Sequence, residues 1–220
     1  MKVVLATGNA GKVREFAEML APLELHFVAQ GALGIESAEE TGQTFADNAL
    51  LKARHAAARS GMPAMADDSG LEVDALGGAP GVYSARYAGP AADDAANIAK
   101  LLTALEGVDP AARRARFRCV IAFVRDAEDP QPVFGTGSWE GLILTAPRGA
   151  GGFGYDPVFA PFDAAGASVA ELDAARKHAA SHRGQALRDL LQRLPLGSYT
   201  GLDQAAVVLP MAQQIGRAHV

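Results

Sequence analysis

The first twenty residues combine a strand, a glycine-rich loop and a helix, and this combination constrains the fold more than any other part of the sequence. Residues 2–7 are mostly apolar, Gly8-Asn9-Ala10-Gly11 interrupts them, and apolar side chains then recur at helical spacing up to Leu20. Pro22 is predicted to end the helix. A strand that passes into a helix through so short a loop indicates an α/β fold.

Strands and helices alternate early in the chain, whereas strands dominate its middle. The predicted strands are residues 2–7, 25–29, 63–66, 117–123 and 133–145. The predicted helices are residues 13–20, 44–56 and 94–105, a short helix capped by Ser168 and Glu171, and a last helix with an apolar stripe at Leu187, Leu190, Leu191 and Leu194. No internal repeat or linker is visible, so we predict one α/β domain with a mixed sheet.

The bulk composition narrows the function classes. The 220 residues carry a formal net charge of -5, which argues against a general affinity for nucleic-acid backbones because such proteins usually present a basic face. Cys119 is the only cysteine, so no intrachain disulfide forms, and no stretch approaches the roughly 20 apolar residues that span a bilayer. We therefore expect a cytoplasmic protein, for which a small anionic ligand remains open.

The loop Thr7-Gly8-Asn9-Ala10-Gly11-Lys12 has the features of a phosphate-binding turn. Small residues let backbone amides approach an anion, the helix start adds positive potential, and Lys12 supplies a mobile charge. The spacing differs from that of a P-loop, because Val13 stands where Ser or Thr would contact Mg²⁺. An ordinary strand-to-helix turn with a surface lysine explains the loop equally well on its own.

Carboxylates concentrate in two pairs, Glu39-Glu40 and Asp67-Asp68, with Asp47 between them. Mg²⁺ is often held by one or two carboxylates together with substrate phosphates. Neighbouring side chains of a strand point to opposite faces, so we expect one aspartate to face a site, and Asp68, nearer the predicted turn, is our choice. For any single pair, a solvated acidic turn is the simpler interpretation.

A second glycine-rich loop contains Phe153 between two glycines. Neither neighbour helps to bury the ring, which suits stacking on a nucleobase, and Asp156 is placed to accept a hydrogen bond from a ring nitrogen. A tight hairpin with one aromatic anchor is the alternative.

Lys177 is followed by Ser181-His182-Arg183-Gly184 at a predicted helix start. Cationic groups there oppose the helix dipole, and a bound anion or keto oxygen would relieve the conflict. Exposed polar residues before an amphipathic helix are the alternative. A nucleotide with a metal-bound polyphosphate fits both glycine-rich loops, the carboxylates and this cluster together.

The sequence resembles the inosine triphosphate pyrophosphatase family, the house-cleaning purine nucleoside-triphosphate pyrophosphatases. The matching stretches follow the family's order: residues 7–12, 39–42, 44–49 with 52–53, 66–71, 78–86, 151–157, and 177 with 181–184. Two features depart from the pattern. Asp47 stands where the family more often has glutamate, and residues 195–220 continue beyond the last family helix.

The resemblance implies an elongated mixed sheet flanked by helices, with two lobes, a central substrate cleft and a homodimer. Residues 1–194 would form the pyrophosphatase domain, and 195–220 an extension of unknown role. The implied reaction is Mg²⁺-dependent hydrolysis of ITP, dITP and XTP to the monophosphate and pyrophosphate, which keeps these nucleotides out of DNA and RNA.

The resemblance also implies roles for individual residues. Asp68 and Lys12 would be catalytic, with Asp68 as general base, and Asp68 and Glu40 would hold the metal. The implied substrate-binding residues are Thr7, Gly8, Asn9, Ala10, Gly11, Lys12, Ser69, Phe153, Gly154, Tyr155, Asp156, Lys177, His182 and Arg183. Donors from His182 and Arg183 would select the 6-keto oxygen of inosine and xanthosine over the amino group of adenine.

Two other functions are compatible with this scaffold. A non-catalytic nucleotide sensor would keep the glycine-rich loops and Phe153, but it would not need Glu40, Asp67 and Asp68 together. A pyrophosphatase for modified pyrimidine nucleotides is disfavoured by the cluster after Lys177, through the family resemblance alone.

Overall fold

The computed structural model describes residues 2–21 and 26–194. The described chain divides into two compact units. Of the described residues, the first unit contains those up to Asp68, Cys119–Gly137 and those from Arg183 to Leu194, and the second contains Ser69–Arg118 and Ser138–His182. Three predictions lie outside the described residues: the helix end at Pro22, the first residue of the predicted strand 25–29, and the extension 195–220.

Six strands and five α-helices, together with short 3₁₀ helices, make up the regular structure of the described residues. The strands are β1 Lys2–Leu5, β2 His26–Ala29, β3 Ala64–Val73, β4 Arg114–Val124, β5 Val133–Ile143 and β6 Phe159–Pro161. The helices are α1 Ala10–Leu20, α2 Phe45–Ser60, α3 Asp94–Ala104, α4 Ala174–Ala180 and α5 His182–Arg193. The order confirms the predicted α/β class.

The strands form one mixed sheet in the order β2-β1-β3-β4-β5-β6. β1 runs parallel to β2, with Leu5 opposite Ala29, and parallel to β3, with Val4 opposite Ala64. β5 and β6 are antiparallel. The carboxyl ends of β1 and β2 therefore lie together, with Leu5 opposite Met65 near the start of the longer β3, and ligands usually bind at the carboxyl ends of strands in open α/β sheets.

Strand β3 is longer than the sequence indicated. The prediction that this strand ends at Asp67-Asp68 is wrong, because β3 continues without a turn to Val73. Leu71 and Val73 are completely buried, and their apolar side chains keep the backbone extended inside the second unit. Both aspartates consequently lie in the interior of a strand.

Helices α1 and α2 each begin with a side-chain cap. Asn9 caps α1 by accepting a hydrogen bond from the backbone N–H of Lys12. Thr44 and Asp47 form a complete capping box on α2. The Asp47 carboxylate is therefore engaged in the cap, with Oδ2 2.7 Å from Thr44 Oγ1.

Each unit has its own apolar core. In the first unit, α1 and α5 pack with the strands, and Phe16 and Leu187 are completely buried. Gly135 permits this packing, since a Cβ there would come within 2.2 Å of the Ala186 carbonyl oxygen of α5. In the second unit, Phe159 is buried edge-on against Trp139. In residues 2–21 and 26–194, no helix has both the length and the apolar character needed to cross a membrane.

Candidate active site

Asp67 is a completely buried carboxylate of β3 with two cationic partners in the first unit. Its Oδ2 lies 2.8 Å from the Nζ of Lys12 and 3.6 Å from the Nε of Arg183. Burial alone would raise the pKa of Asp67, but Lys12 and Arg183 outweigh it and hold the pKa below its usual range. Asp67 therefore remains ionised inside the protein.

Lys12 is held in place, in contrast to the mobile surface charge expected from the sequence. It lies in the first turn of α1, and its contact with Asp67 directs the ammonium towards β3. Gly8, Asn9 and Ala10 are exposed, and Thr7 Oγ1 accepts a hydrogen bond from the Asn9 N–H. An anion approaching this loop would meet the start of the helix dipole and a fixed positive charge.

Asp68 belongs to a second set of contacts, centred on Lys52 of α2. The Nζ of Lys52 lies 2.9 Å from Asp68 and 2.7 Å from Glu40. Asn48, one helical turn before Lys52, donates to Asp68 Oδ2 at 3.2 Å. Burial raises the pKa of the Asp68 carboxyl, and the negative charge of Glu40 adds to the rise, while Lys52 and Lys12 oppose it. We call Lys12, Glu40, Lys52, Asp67 and Asp68 the lysine–carboxylate cluster.

The donor set of this cluster fits a divalent cation. Asp68 and Glu40 both direct an oxygen at one ammonium group, so two hard ligands already converge on a positive charge. Among the described residues, no group of three or more His, Cys, Asp or Glu side chains is arranged to hold a metal. Two carboxylates suffice for Mg²⁺ when substrate phosphates and water complete its coordination.

Three participants in these contacts were not predicted from the sequence. Asn48 and Lys52 are four residues apart on one face of α2, and both contact Asp68. This spacing is the sequence signal that could have indicated them as partners of Asp68. Glu15 of α1 binds the guanidinium of Arg183 at the start of α5. These two residues are 168 positions apart, and no local pattern connects them.

The second unit holds the loop around Phe153. The ring is half-buried, and the Nζ of Lys177 lies 4.9 Å from its centroid. Asp156 accepts hydrogen bonds from Lys177 Nζ at 2.6 Å and from the Phe153 N–H at 3.0 Å. We call Phe153, Asp156 and Lys177 the aromatic-loop cluster. The expectation that Phe153 lies outside the core is confirmed.

Two further contacts fix this loop. The Gly154 N–H donates to Asp94 Oδ2 at 2.6 Å, and Tyr155, which is buried, donates its hydroxyl to the Ser84 carbonyl at 2.8 Å. Gly152 has a φ of +74°, and a Cβ there would come within 2.0 Å of Asp156 Oδ2. Hydrogen bonds from several directions therefore hold the loop in one conformation, which suits a surface on which a ring can stack.

The cationic cluster before α5 is neutralised by the protein itself. Lys177 lies within α4 and pairs with Asp156, while Arg183 pairs with Glu15 and is 2 % exposed. The sequence suggested that a bound anion or keto oxygen would relieve the conflict with the helix dipole, whereas in the structure buried carboxylates already pair with Lys177 and Arg183. The His182 ring is buried and stacks on Phe117, with centroids 4.7 Å apart.

Comparison with known proteins shows extensive similarity. The Ham1 family profile matches residues 3–193. A dITP/XTP pyrophosphatase of Yersinia pseudotuberculosis is 60% identical over 193 residues, which cover 88% of this chain and 98% of that protein. A dITP/XTP pyrophosphatase of Thioalkalivibrio sulfidiphilus is 57% identical over 194 residues, covering 88% of this chain and 98% of that protein.

Solved structures show the same relationship at the level of the fold. A HAM1 protein from Coxiella burnetii superposes with a TM-score of 0.79 at 50% identity, covering 86% of this chain and 96% of that one. A nucleoside-triphosphatase, dITP/XTP pyrophosphatase, from Mycobacterium abscessus gives a TM-score of 0.69 at 41% identity, covering 87% and 99%.

Proposed function

Since this chain belongs to the Ham1 family, we propose that it keeps deaminated purine nucleotides out of DNA and RNA by hydrolysing their triphosphates. It is a nucleoside-triphosphate pyrophosphatase that converts dITP, ITP and XTP to the monophosphate and pyrophosphate. The observation that carries this conclusion is the identity of about 60% over nearly the whole length of dITP/XTP pyrophosphatases.

We assign the polyphosphate to the lysine–carboxylate cluster and to the loop Thr7, Gly8, Asn9, Ala10, Gly11 and Lys12. Two kinds of positive potential support this assignment, the start of α1 and the fixed ammonium of Lys12. Asp67 accepts a hydrogen bond from the Lys12 ammonium, whose other N–H groups can then donate to a phosphate. Positive charge preorganised beside a transferred phosphoryl group lowers the barrier, because charge on the phosphates develops during the reaction.

Asp68 is the proposed general base. Its carboxylate is buried beside Lys52 and Asn48, so its orientation is fixed by hydrogen bonds from two sides. A raised pKa makes a carboxylate a stronger base near neutral pH than an exposed aspartate. Asp68 would take a proton from the attacking water, which we place at the α-phosphorus because cleavage there releases pyrophosphate.

Mg²⁺ is the proposed cofactor, with Asp68 and Glu40 as its protein ligands. When bound, the ion would supply charge neutralisation for the polyphosphate and acidify a bound water. Lys52 would then keep contacts with the same two carboxylates and balance their remaining charge.

The aromatic-loop cluster is the proposed binding surface for the base. Phe153 offers a face for stacking, and Lys177 and Asp156 give the loop a donor and an acceptor. The other residues assigned to the nucleotide are Ser69, Gly154, Tyr155, His182 and Arg183. Donors aimed at a 6-keto oxygen would be left unsatisfied by adenine, which costs about 1–3 kcal/mol for each buried group.

Product analysis with purified protein tests this function. The protein is incubated with Mg²⁺ and ITP, XTP, ATP, GTP, dTTP or UTP, and pyrophosphate and orthophosphate are measured separately, with Asp68→Asn beside it. Pyrophosphate from ITP and XTP alone supports the substrate class and the bond cleaved. Orthophosphate release would move the attack to the terminal phosphate and contradict the proposal.

The remaining proposals concern the setting of the enzyme. We propose a cytoplasmic homodimer whose domain ends near residue 194. Light scattering of the purified chain tests the dimer, and activity of a chain truncated after Leu194 tests the domain boundary.

A further inference from the structure

The hydroxyl of Ser37 lies against the loop that we assign to the phosphates, and no role has been given to it so far. A Cβ at position 8 would come within 2.8 Å of Ser37 Oγ. Gly8 is not among the glycines with positive φ, so backbone conformation does not require glycine there. The close approach of Ser37 favours glycine instead, because a Cβ at position 8 would force the Ser37 hydroxyl to shift away from the loop.

Gln30 fixes the orientation of this hydroxyl. The Gln30 side chain is 4 % exposed, and its Nε2 donates a hydrogen bond to Ser37 Oγ at 3.0 Å. The serine oxygen therefore acts as an acceptor towards Gln30, and its single proton remains available to another acceptor. Ser37 itself is exposed, as are Gly8 and Asn9, so that acceptor can arrive from solvent.

The position of Gln30 in the sheet explains why these groups meet. Gln30 follows β2 directly, and β2 pairs in parallel with β1, with Ala29 opposite Leu5. The residues after the two strands, Gln30 and the loop that begins at Thr7, therefore leave the sheet at the same edge. The segment after Gln30 then brings Ser37 over Gly8 and continues to Glu40 of the lysine–carboxylate cluster.

We propose that Ser37 is a further phosphate-binding residue, which donates its hydroxyl proton to a non-bridging oxygen of the two phosphates that leave as pyrophosphate, and that Gln30 is the positioning residue that orients it. This inference rests on the proposed function, since it takes loop 7–12 as the phosphate loop. The contact adds a donor without adding charge, complementing the fixed charge of Lys12.

The test is titration calorimetry of inorganic pyrophosphate, with Mg²⁺, into the wild type, Ser37→Ala and Ser60→Ala. Ser60 is a matched control, because its hydroxyl makes only local hydrogen bonds at the end of α2. A hydrogen bond to a charged oxygen is expected to be worth roughly tenfold or more in affinity, so Ser37→Ala should bind pyrophosphate about tenfold more weakly. Ser60→Ala should bind like the wild type, and both variants should keep the wild-type thermal midpoint.

Inhibition by the nucleoside monophosphate provides a second readout. IMP lacks the leaving phosphates, so Ser37→Ala should leave its inhibition constant within about twofold of the wild type while weakening pyrophosphate. If Ser37 only supported the structure of the loop, Ser37→Ala would weaken the binding of both ligands alike. Equal loss for IMP and pyrophosphate, or pyrophosphate affinity unchanged in Ser37→Ala, overturns the role of Ser37.

A double-mutant cycle tests Gln30. Gln30→Met removes the side-chain amide and keeps a similar size. It should weaken pyrophosphate binding when introduced into the wild type, but not when introduced into Ser37→Ala. The same loss in both backgrounds overturns the positioning role. If the wild type releases no pyrophosphate from ITP, the proposed enzyme function fails separately, and the pyrophosphate titrations still decide Ser37.

Discussion

The ammonium of Lys12 and the carboxylate of Asp67 form a contact of 2.8 Å in which the acid is completely buried. Asp67 also lies beside Arg183, so one buried anion joins the start of α1 to the start of α5. The position of the Lys12 ammonium, in the loop proposed to bind the phosphates, is therefore set by the interior of the protein.

Asp67→Asn should be strongly destabilising, because it leaves Lys12 without its buried counter-ion and Arg183 with Glu15 alone. We expect the free energy of unfolding at pH 7 to fall by about 3–5 kcal/mol, measured by urea denaturation, with Asp126→Asn in an exposed loop as control.

The same variant should show a characteristic pH dependence. The pKa of folded Asp67 lies below the unfolded value of about 3.9, so its stabilisation is complete above that value and declines as pH falls. The difference between wild type and Asp67→Asn should shrink by about 1 kcal/mol from pH 7 to pH 3. An equal difference at both pH values would contradict the burial of an ionised Asp67.

Asp68→Asn should reduce kcat for ITP by about 10²–10⁴-fold, because the amide cannot accept the proton of the attacking water. Since burial raises the pKa of Asp68, wild-type activity should begin to decline at a higher pH than an ordinary aspartate would allow. A pH–rate profile of kcat/KM checks this. Retention of most activity in Asp68→Asn would require another general base.

Lys52→Met removes the cation shared by Asp68 and Glu40. The two carboxylates then lose the cation that both contact, which raises the pKa of Asp68 further and moves the acid limb of the kcat/KM profile to higher pH. Lys100→Met is the matched control, since Lys100 is exposed and contacts the Tyr87 carbonyl. An unchanged acid limb in Lys52→Met would show that Lys52 does not control Asp68.

Phe153→Ala should raise KM for ITP and XTP by roughly 5–150-fold, the range expected for loss of about 1–3 kcal/mol of base stacking. Pyrophosphate affinity should stay as in the wild type, because Phe153 is assigned to the base alone. Phe162→Ala, at an exposed phenylalanine of the same unit, is the control. Parallel weakening of pyrophosphate would place Phe153 in another role.

Removal of divalent metal with EDTA should abolish turnover and leave the thermal midpoint within about 2 °C of its original value. Lys52 already compensates Asp68 and Glu40 in the folded protein, so folding has little need of the ion. Calorimetric scans with and without EDTA measure this, and readdition of Mg²⁺ should restore activity. A large drop in the midpoint would indicate a structural metal site.

Local patterns predicted the elements of this fold well, and its long-range ion pairs poorly. Asn9 and Lys12 lie in a strand-to-helix loop that can be recognised in the sequence by its glycines, and helix α2 was predicted within residues 44–56 from its apolar spacing. The continuation of β3 was missed, because two aspartates look like a strand end when their buried partners are unknown.

Those partners come from distant segments. Lys12 and Arg183 enclose Asp67, and Glu15 reaches Arg183, through contacts that only tertiary packing creates. Isolated acidic and basic residues form no periodic pattern in a sequence. The sequence therefore identified the charged groups but did not show that they pair with one another.

In the part of the chain that the structure describes, the short strand β6 forms one edge of the sheet, and this has a consequence for the behaviour of the protein in concentrated solution. It pairs with β5 over three residues and ends at Pro161, which has no N–H to offer to another strand. An open sheet edge is a template on which further chains can polymerise, and a brief strand that ends in proline is a poor template. Growth of intermolecular β-structure is therefore blocked on this side of the sheet.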